Sequence, residues 1–289
     1  MQESLAKFAK KSLGQNFLKS ERALSDIVQA GDIQPNDTII EIGPGEGALT
    51  SRILEKKPKK LVIIEKDDRL IPILEEKFKG SLDSDSLKII HGDIIELLEG
   101  DFGNNGEFKI ENPYKVIANI PYYITGLIIR KIFEQTTLPS KIVLLVQKEV
   151  ADRIVARGEN GKTADADNQN GAKESLLSLS VKIYGTPKRI SVVPKGAFVP
   201  APTVDSAVIL IDNIERKIPQ EQESLFFEIL HAAFSHKRKR LAKNLLQIKT
   251  IKVDSALIEK TLLELGIDVN ARAEDLSVEK YIQLLNRLI

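Results

Sequence analysis

Thr38-Ile39-Ile40-Glu41-Ile42-Gly43-Pro44-Gly45-Glu46-Gly47-Ala48-Leu49-Thr50 decides the fold. A short apolar run ends at an acid, three glycines follow at alternate positions, and a helix-like pattern starts at Ala48. That order predicts a strand, a tight loop and a helix. Glycines suit such a loop because they tolerate positive φ and let a ligand approach bare backbone. The start of the helix adds free N–H groups and a partial positive charge. A nucleotide-like ligand is the natural occupant. Taken alone, the loop leaves other readings open. One is a purely structural turn. Another is the dinucleotide fingerprint G-x-G-x-x-G/A, which Gly43-x-Gly45-x-x-Ala48 also fits, with Glu65 about where a ribose-binding acid belongs.

Working outward, apolar runs recur at 38–42, 61–64, 87–90, 116–118 and 142–146, separated by helical patterns at 48–56, 68–78 and 124–135. This alternation predicts a parallel sheet with helices on both faces. Ligands of such sheets lie beyond the carboxyl ends of the strands. The residues after each run are therefore the site candidates: Glu41 to Gly47, Glu65, Gly92-Asp93, Asn119-Ile120-Pro121-Tyr122 and Gln147. A carboxylate at Glu65 can accept from both ribose hydroxyls, and Asp93 can accept from an adenine amino group. Their ordinary alternatives are a helix cap and an Asx turn. Asn119 to Tyr122 sets an amide, a stiffened turn and an aromatic at the fourth strand end. That is where a methyltransferase acting on an exocyclic amine presents its acceptor, although such a stretch also serves as a plain strand-to-helix turn.

The flanks differ from this centre. Residues 1–20 carry Lys7, Lys10, Lys11 and Lys19 without an apolar period, and Ser20 reads as the N-cap of a helix with Ala23, Leu24, Ile27 and Val28 on one face. Residues 157–174 are polar and predict a flexible surface insertion. Two strands between Pro187 and Asp212 are joined by the proline-stiffened Phe198 to Ser206, which can hold Phe198 at the site or in the core. Beyond Asp212 the helical patterns at 220–235, 237–247, 254–265 and 277–288 predict a small all-helical domain. The domains are thus 1–212 and 213–289. Within the second, His236-Lys237-Arg238-Lys239-Arg240-Leu241-Ala242-Lys243-Asn244 carries five basic residues and no acid. With Phe234, Leu241 and Leu245 on the buried side, this helix presents either a solvated face or a phosphate-binding one.

At 289 residues and 42% hydrophobic content, the chain accommodates one large and one smaller domain. No run approaches the ~18 apolar residues of a membrane span, and Met1-Gln2-Glu3-Ser4 opens no signal segment. There is no cysteine, which excludes disulfides and thiolate metal sites. His91, His231 and His236 are scattered, and no metal centre is expected. A net charge of +1 means that any affinity for nucleic acid comes from local patches.

The ordered set Gly14-Gln15-Asn16-Phe17-Leu18, Glu41 to Gly47, Glu65, Gly92-Asp93, Asn119-Ile120-Pro121-Tyr122, Gln147-Lys148-Glu149-Val150-Ala151 and Phe198-x-Pro200-x-Pro202-x-Val204-Asp205-Ser206 resembles the ribosomal RNA adenine N6-dimethyltransferases across nearly the whole chain. Val204-Asp205-Ser206 and the basic stretch look most like the small-subunit branch. The resemblance implies a Rossmann-like, S-adenosylmethionine-dependent methyltransferase sheet followed by a helical RNA-contacting domain. The implied reaction is dimethylation of N6 on two adjacent adenosines in a hairpin loop near the 3′ end of small-subunit rRNA. It would be carried out in the cytoplasm by a monomer acting on a pre-assembled subunit during ribosome biogenesis.

The same resemblance implies roles for particular residues. Asn16 and Leu18 close over the cofactor, Gly43 and Gly45 line its methionine portion and Glu41 sits near its amino group. Glu65 holds the ribose, Asp93 the adenine, and Asn119 lies between cofactor and base. Tyr122 and Phe198 are placed to stack on the two faces of the target base. Lys237, Arg238, Lys239, Arg240 and Lys243 are placed to meet RNA phosphates. The rivals are a large-subunit dimethyltransferase of the macrolide-resistance type and a non-catalytic ribosome-assembly or transcription factor. An NAD(P)-dependent oxidoreductase leaves Asn119 to Tyr122 and the basic stretch unexplained. Two departures from the family pattern stand out. The polar insertion and Glu174-Ser175-Leu176-Leu177-Ser178 replace the usual Tyr-Gly-x-Leu-Ser element. Tyr123-Ile124-Thr125-Gly126 replaces the usual Ser/Thr-rich ending after Tyr122.

Overall fold

The computed structural model describes residues 14–100, 113–156 and 173–289. The readings for Lys7, Lys10, Lys11 and residues 157–172 of the insertion lie outside these. In chain order the strands are β1 (Phe17–Leu18), β2 (Thr38–Ile42), β3 (Lys60–Glu65), β4 (Leu87–His91), β5 (Tyr114–Asn119), β6 (Lys141–Gln147), β7 (Thr186–Val193), β8 (Phe198–Val199) and β9 (Ser206–Asp212). The helices are α1 (Glu21–Gly31), α2 (Ala48–Leu54), α3 (Ile71–Lys77), α4 (Lys79–Asp83), α5 (Ile94–Leu97), α6 (Thr125–Phe133), α7 (Lys148–Val155), α8 (Leu176–Lys182), α9 (Gln220–Phe234), α10 (Leu241–Leu245), α11 (Ser255–Glu264) and α12 (Val278–Leu288). They form two compact units. One runs to Ala151 and adds Thr186–Ile214; the other comprises Asp152–Gly185 and Glu215–Ile289.

The first unit is built on a seven-stranded sheet of order β4-β3-β2-β5-β6-β9-β7. From β2 the chain steps outward through β3 to β4, then returns to the other side of β2 for β5 and β6. That reversal lies between β2 and β5, the position at which open α/β sheets bind ligands. The first five strands are parallel, as the alternation predicts. The sheet is nevertheless mixed, because β9 runs antiparallel to both β6 and β7. Residues 194–205 carry β8 and return the chain alongside β7.

β2 is buried along its whole length, Thr38 and Glu41 included. On one face Ile39, Leu61, Ile63, Ile117, Val143 and Leu145 pack in a common core with Leu24, Ile27 and Val28 of α1. Each such residue, fully buried, contributes roughly 1.5–3 kcal/mol. Ser20 caps α1, accepting from Ala23 N at 3.3 Å. At the far end of α1, a Cβ on Gly31 would stand 2.8 Å from Ile117 Cδ1, so the missing side chain lets the helix end rest on the sheet.

A separate two-stranded ribbon pairs β1 with β8, antiparallel, with Phe17 opposite Val199 and Leu18 opposite Phe198. It ties residues 14–19 to the loop between β7 and β9. Lys19 N adds a bond to Ala197 O at 2.9 Å.

The second unit is helical. Phe226, Ile229, Leu230, Leu241, Leu245, Leu262, Tyr281 and Leu284 form its buried interior. It also holds Asp152–Gly185, which the sequence reading assigns to the sheet domain. Particular contacts account for the difference. Glu174 N bonds Glu274 O at 3.1 Å and Lys217 Nζ donates to Lys182 O at 2.7 Å, while within the segment Lys182 Nζ meets Glu174 Oε1 at 2.8 Å and Ser178 Oγ donates to Glu174 Oε2 at 2.7 Å. A buried carboxylate matched by a buried ammonium and a hydroxyl is a fixed anchor, since removing one partner would strand the other. None of the described helices is long and apolar enough to cross a membrane.

Candidate active site

A cavity of about 520 Å³ opens at the carboxyl ends of the parallel strands. Its wall is drawn from residues 14–19, from 41–46 after β2, from 64–66 after β3, from 92–95 after β4 and from 119–124 after β5. These segments meet because the strands are nearly in step: Ile42 pairs with Ile64 and Ala118, and Glu65 with His91. Asn16, Leu18, Glu41, Gly43, Gly45, Glu65, Asp93, Asn119 and Tyr122 all line it.

The loop after β2 takes left-handed backbone at Gly43, Gly45 and Gly47, with φ of 69°, 59° and 76°. A side chain is strained there whatever the space. Space is also short at two of the three. A Cβ on Gly47 would meet the Phe78 ring at 2.5 Å, and one on Gly45 would meet the Phe17 ring at 3.0 Å.

Glu41 is buried in the wall, 1% exposed. Thr50 Oγ1 donates to its Oε2 at 2.7 Å, while Oε1 has no hydrogen-bond partner. Burial pushes the carboxyl up to about 8; the nearby Glu65 charge adds to this, and the Thr50 bond and Lys77 oppose it. A buried acceptor oxygen without a donor, beside a glycine-walled cavity, fits a ligand ammonium. The shift has a measurable consequence in the protein without ligand. An unfolded glutamate ionises near 4.5, whereas the folded one keeps its proton to about 8. Over that window the folded state binds more protons, so stability is greatest below about 4.5 and falls as pH rises toward 8. Glu41→Gln is expected to flatten that decline. Thermal unfolding from pH 5 to 8 checks it, and parallel curves for the two proteins would reject the assignment.

Glu65 is held by backbone donors, Asp67 N to Oε1 at 2.8 Å and Gly45 N to Oε2 at 3.2 Å. Burial raises its carboxyl while these N–H groups lower it. The Gly45 bond fixes the loop to the acid, so the two cofactor-side elements move as one. Asp93 combines the Asx-turn role with the site role: its Oδ1 accepts from Ile95 N at 2.9 Å and its Oδ2 from Lys66 Nζ at 2.6 Å. Lys66 is largely exposed, and an ion pair of that kind is worth about 0–1 kcal/mol. An incoming amino group can replace it at little cost.

At the other end, Asn119 Nδ2 donates to Asn16 O at 3.4 Å, a long bond that leaves Oδ1 as an acceptor. Tyr122 opens a short 3₁₀ turn, Tyr122–Ile124, and its hydroxyl meets Ser206 Oγ at 2.6 Å. Ser206 starts β9, so the reversed strand fixes the tilt of the aromatic ring.

The model of the ribosomal RNA adenine dimethylase family matches residues 6–289. The chain belongs to this family. Similar relatives include the ribosomal RNA small subunit methyltransferase A of Dehalococcoides mccartyi strain CBDB1, 40% identical over 98% of this chain and 90% of the relative. The protein of the same name from Clostridium acetobutylicum is 39% identical over 96% of this chain and 93% of its own. Among solved structures, a dimethyladenosine transferase from Plasmodium falciparum matches with a TM-score of 0.68 and 26% identity, over 93% of this chain and 95% of that one. The 23S rRNA methyltransferase ErmE shares the fold at a TM-score of 0.70 and 22% identity, over 94% and 99% of the two chains.

Two expectations drawn from the adenine dimethylase pattern do not match the structure. Phe198 does not line the cavity. It is 2% exposed and belongs to the core cluster, because pairing with Leu18 turns it inward. The basic stretch is not a continuous helix. Residues 236–240 form an exposed turn, and α10 begins only at Leu241. Asn244, 1% exposed, ties that turn down by donating from Nδ2 to Ala233 O at 2.6 Å and His236 O at 3.1 Å. Lys237, Arg238, Lys239 and Arg240 project from a pinned loop, and Lys243 is exposed on α10.

A clasp beside the cavity was not picked out by its sequence pattern. Gln15 Nε2 donates to Asp67 Oδ2 at 2.9 Å, and Arg69 clamps the same carboxylate through Nε and Nη2 at 2.8 and 2.6 Å. The Arg69 guanidinium holds the Asp67 carboxyl well below the usual range. This clasp ties Gln15, in the cavity wall, to the turn after β3. The available signal is an acid and an arginine two residues apart just past a strand end. Among the described residues no cluster of His, Asp and Glu could hold a metal ion.

Proposed function

We propose that this protein dimethylates N6 of two adjacent adenosines in a hairpin loop near the 3′ end of small-subunit rRNA, with S-adenosylmethionine as methyl donor. The observation that carries the reading is the convergence in one cavity of a glycine loop and the three acids Glu41, Glu65 and Asp93 with Asn119 and Tyr122. The small-subunit assignment draws on relatives named for that subunit.

The unpartnered Oε1 of Glu41 fits the ammonium of the cofactor's methionine end, and Gly43 and Gly45 give it a wall without side chains. Glu65 is pre-set for ribose hydroxyls, Asp93 for the adenine amine, and Asn16 and Leu18 cover the far side. When bound, the cofactor supplies an electrophilic methyl group. The chain's own task is to aim the amine. The N6 lone pair of adenine is delocalised into the ring. Asn119 Oδ1 and the Ile120 carbonyl can accept both N6 hydrogens, which favours a pyramidal nitrogen. Tyr122 stacks on the extruded base, a contact worth ~1–3 kcal/mol. With Phe198 in the core, the ring of Tyr122 does this work without an aromatic partner opposite.

The protein acts as a monomer in the cytoplasm on an assembled small subunit, and the pinned basic turn docks it. The log of subunit affinity should fall with log salt by roughly 0.7–0.9 per phosphate contacted. Replacing Lys237, Arg238 and Arg240 together by Gln is expected to flatten that slope and leave cofactor affinity unchanged. Titrations at several salt concentrations check this; identical slopes would reject the docking role. Methyl transfer to purified small against large subunits tests the function itself, with transfer to the large subunit alone overturning it.

A further inference from the structure

Tyr123 follows the stacking residue Tyr122, and it is 69% exposed at the rim of the cavity. A large aromatic ring thus stands in solvent at the edge of the cavity. The ring is nonetheless held in place. A Cβ on Gly14 would come within 3.2 Å of Tyr123 Cε1 and 3.5 Å of Pro121 Cβ, so the backbone of residue 14 rests on one side of it. Leu127, 42% exposed, stands four residues on, and Lys66 reaches the same rim. The hydroxyl of Tyr122 is engaged by Ser206, whereas that of Tyr123 makes no hydrogen bond among the described residues. One ring is therefore anchored through its hydroxyl, and the other is braced at the rim with a surface open.

We propose that Tyr123 is a stacking platform for the nucleobase next to the one that enters the cavity. The inference rests on the function proposed above. Extruding one base from an RNA loop strips its neighbour of a stacking partner. An aromatic face one residue along the chain from Tyr122 replaces that partner, and any base can use it because every base has a π-face. Where two adjacent adenosines are both substrates, the platform holds whichever of the pair is outside the cavity. It raises affinity for a pair of unstacked bases over a single one.

The test uses the full-length protein and small ribosomal subunits from cells lacking the dimethylation. Tyr123→Ala is expected to weaken subunit binding by roughly 5- to 150-fold, the range for loss of one base–aromatic stack. Single-turnover transfer at subsaturating subunit should fall in parallel. Tyr123→Phe is expected to stay within about twofold of wild type, because stacking uses the ring. The salt slope should not change, since no phosphate contact is lost. S-adenosylmethionine affinity should also be unchanged in both variants. Three results would overturn the platform: subunit affinity at wild-type level in Tyr123→Ala, equal losses in the Phe and Ala variants, or a loss of cofactor affinity that matches the loss of subunit binding. The last would mean that Tyr123 only props residue 14. Should the wild type transfer no methyl to small subunits, the proposed function fails and the platform fails with it. Transfer by the wild type with an unaffected Tyr123→Ala removes the platform alone.

Discussion

Asn119→Ala is expected to lower single-turnover methyl transfer by about 100-fold or more while S-adenosylmethionine affinity stays within about twofold. The first half follows from what the amide would do. Its Oδ1 accepts one hydrogen of the target amine and so sets the direction of the nitrogen lone pair. Positioning of reacting groups can supply up to ~7–11 kcal/mol. Deleting one preorganised hydrogen-bonding group at a reacting centre typically costs ~10²–10³ in rate. The second half follows from geometry: the bond that Asn119 makes to the cofactor-covering segment is long, 3.4 Å to Asn16 O, and its loss should disturb that segment little. Calorimetry with the cofactor and rapid-quench methylation of small subunits measure the two halves separately. Transfer near the wild-type rate would sink the proposed mechanism. A matched fall in affinity would instead recast Asn119 as part of the cofactor wall.

Gly45→Val should abolish measurable cofactor binding, a loss of more than about 100-fold, with the sheet still folded. Three effects add at this position. A β-branched residue is strained at φ 59°. Its Cβ begins 3.0 Å from the Phe17 ring, so the covering segment must move. The loop shift also breaks the Gly45 N bond to Glu65, and the acid proposed to hold the ribose loses its fixed orientation. Gly43→Ala is the control. It has similar strain at φ 69°, yet its Cβ would meet only Asn119 O, at an ordinary 3.6 Å. A much smaller loss is expected for it. Undiminished affinity in Gly45→Val would remove the loop from the site.

Reading by strand ends worked because a parallel sheet converts sequence order into spatial order. Glu41, Glu65, Asp93 and Asn119 each lie within two residues of the carboxyl end of a strand, and in-step pairing brings them to one rim. Where the decisive partner is distant, local pattern misled. Phe198 sits among prolines that do stiffen its loop, but its orientation is set by Leu18, far earlier in the chain. The cations at 237–240 fit a helical period with Leu241 and Leu245. The two carbonyls held by Asn244 pin that segment as a turn instead. The bonds from Glu174 N to Glu274 O and from Lys217 Nζ to Lys182 O likewise tie a segment read as part of the sheet domain to the helical unit. Nothing in the composition of residues 174–182 announces an anchor, since it exists only once the helices are packed.

The β1–β8 ribbon has a consequence for the order in which the protein is made. Its strands are separated by about 180 residues of chain. Translation at ~5–20 residues per second leaves residues 14–19 without their partner strand for roughly 10–40 seconds. Over that interval the loop after β2 and the acids of β3 and β4 have already left the ribosome, but one wall of the pocket has nothing to lean on. The cavity therefore gains that wall late, only after the strand that lies beyond the polar insertion has emerged.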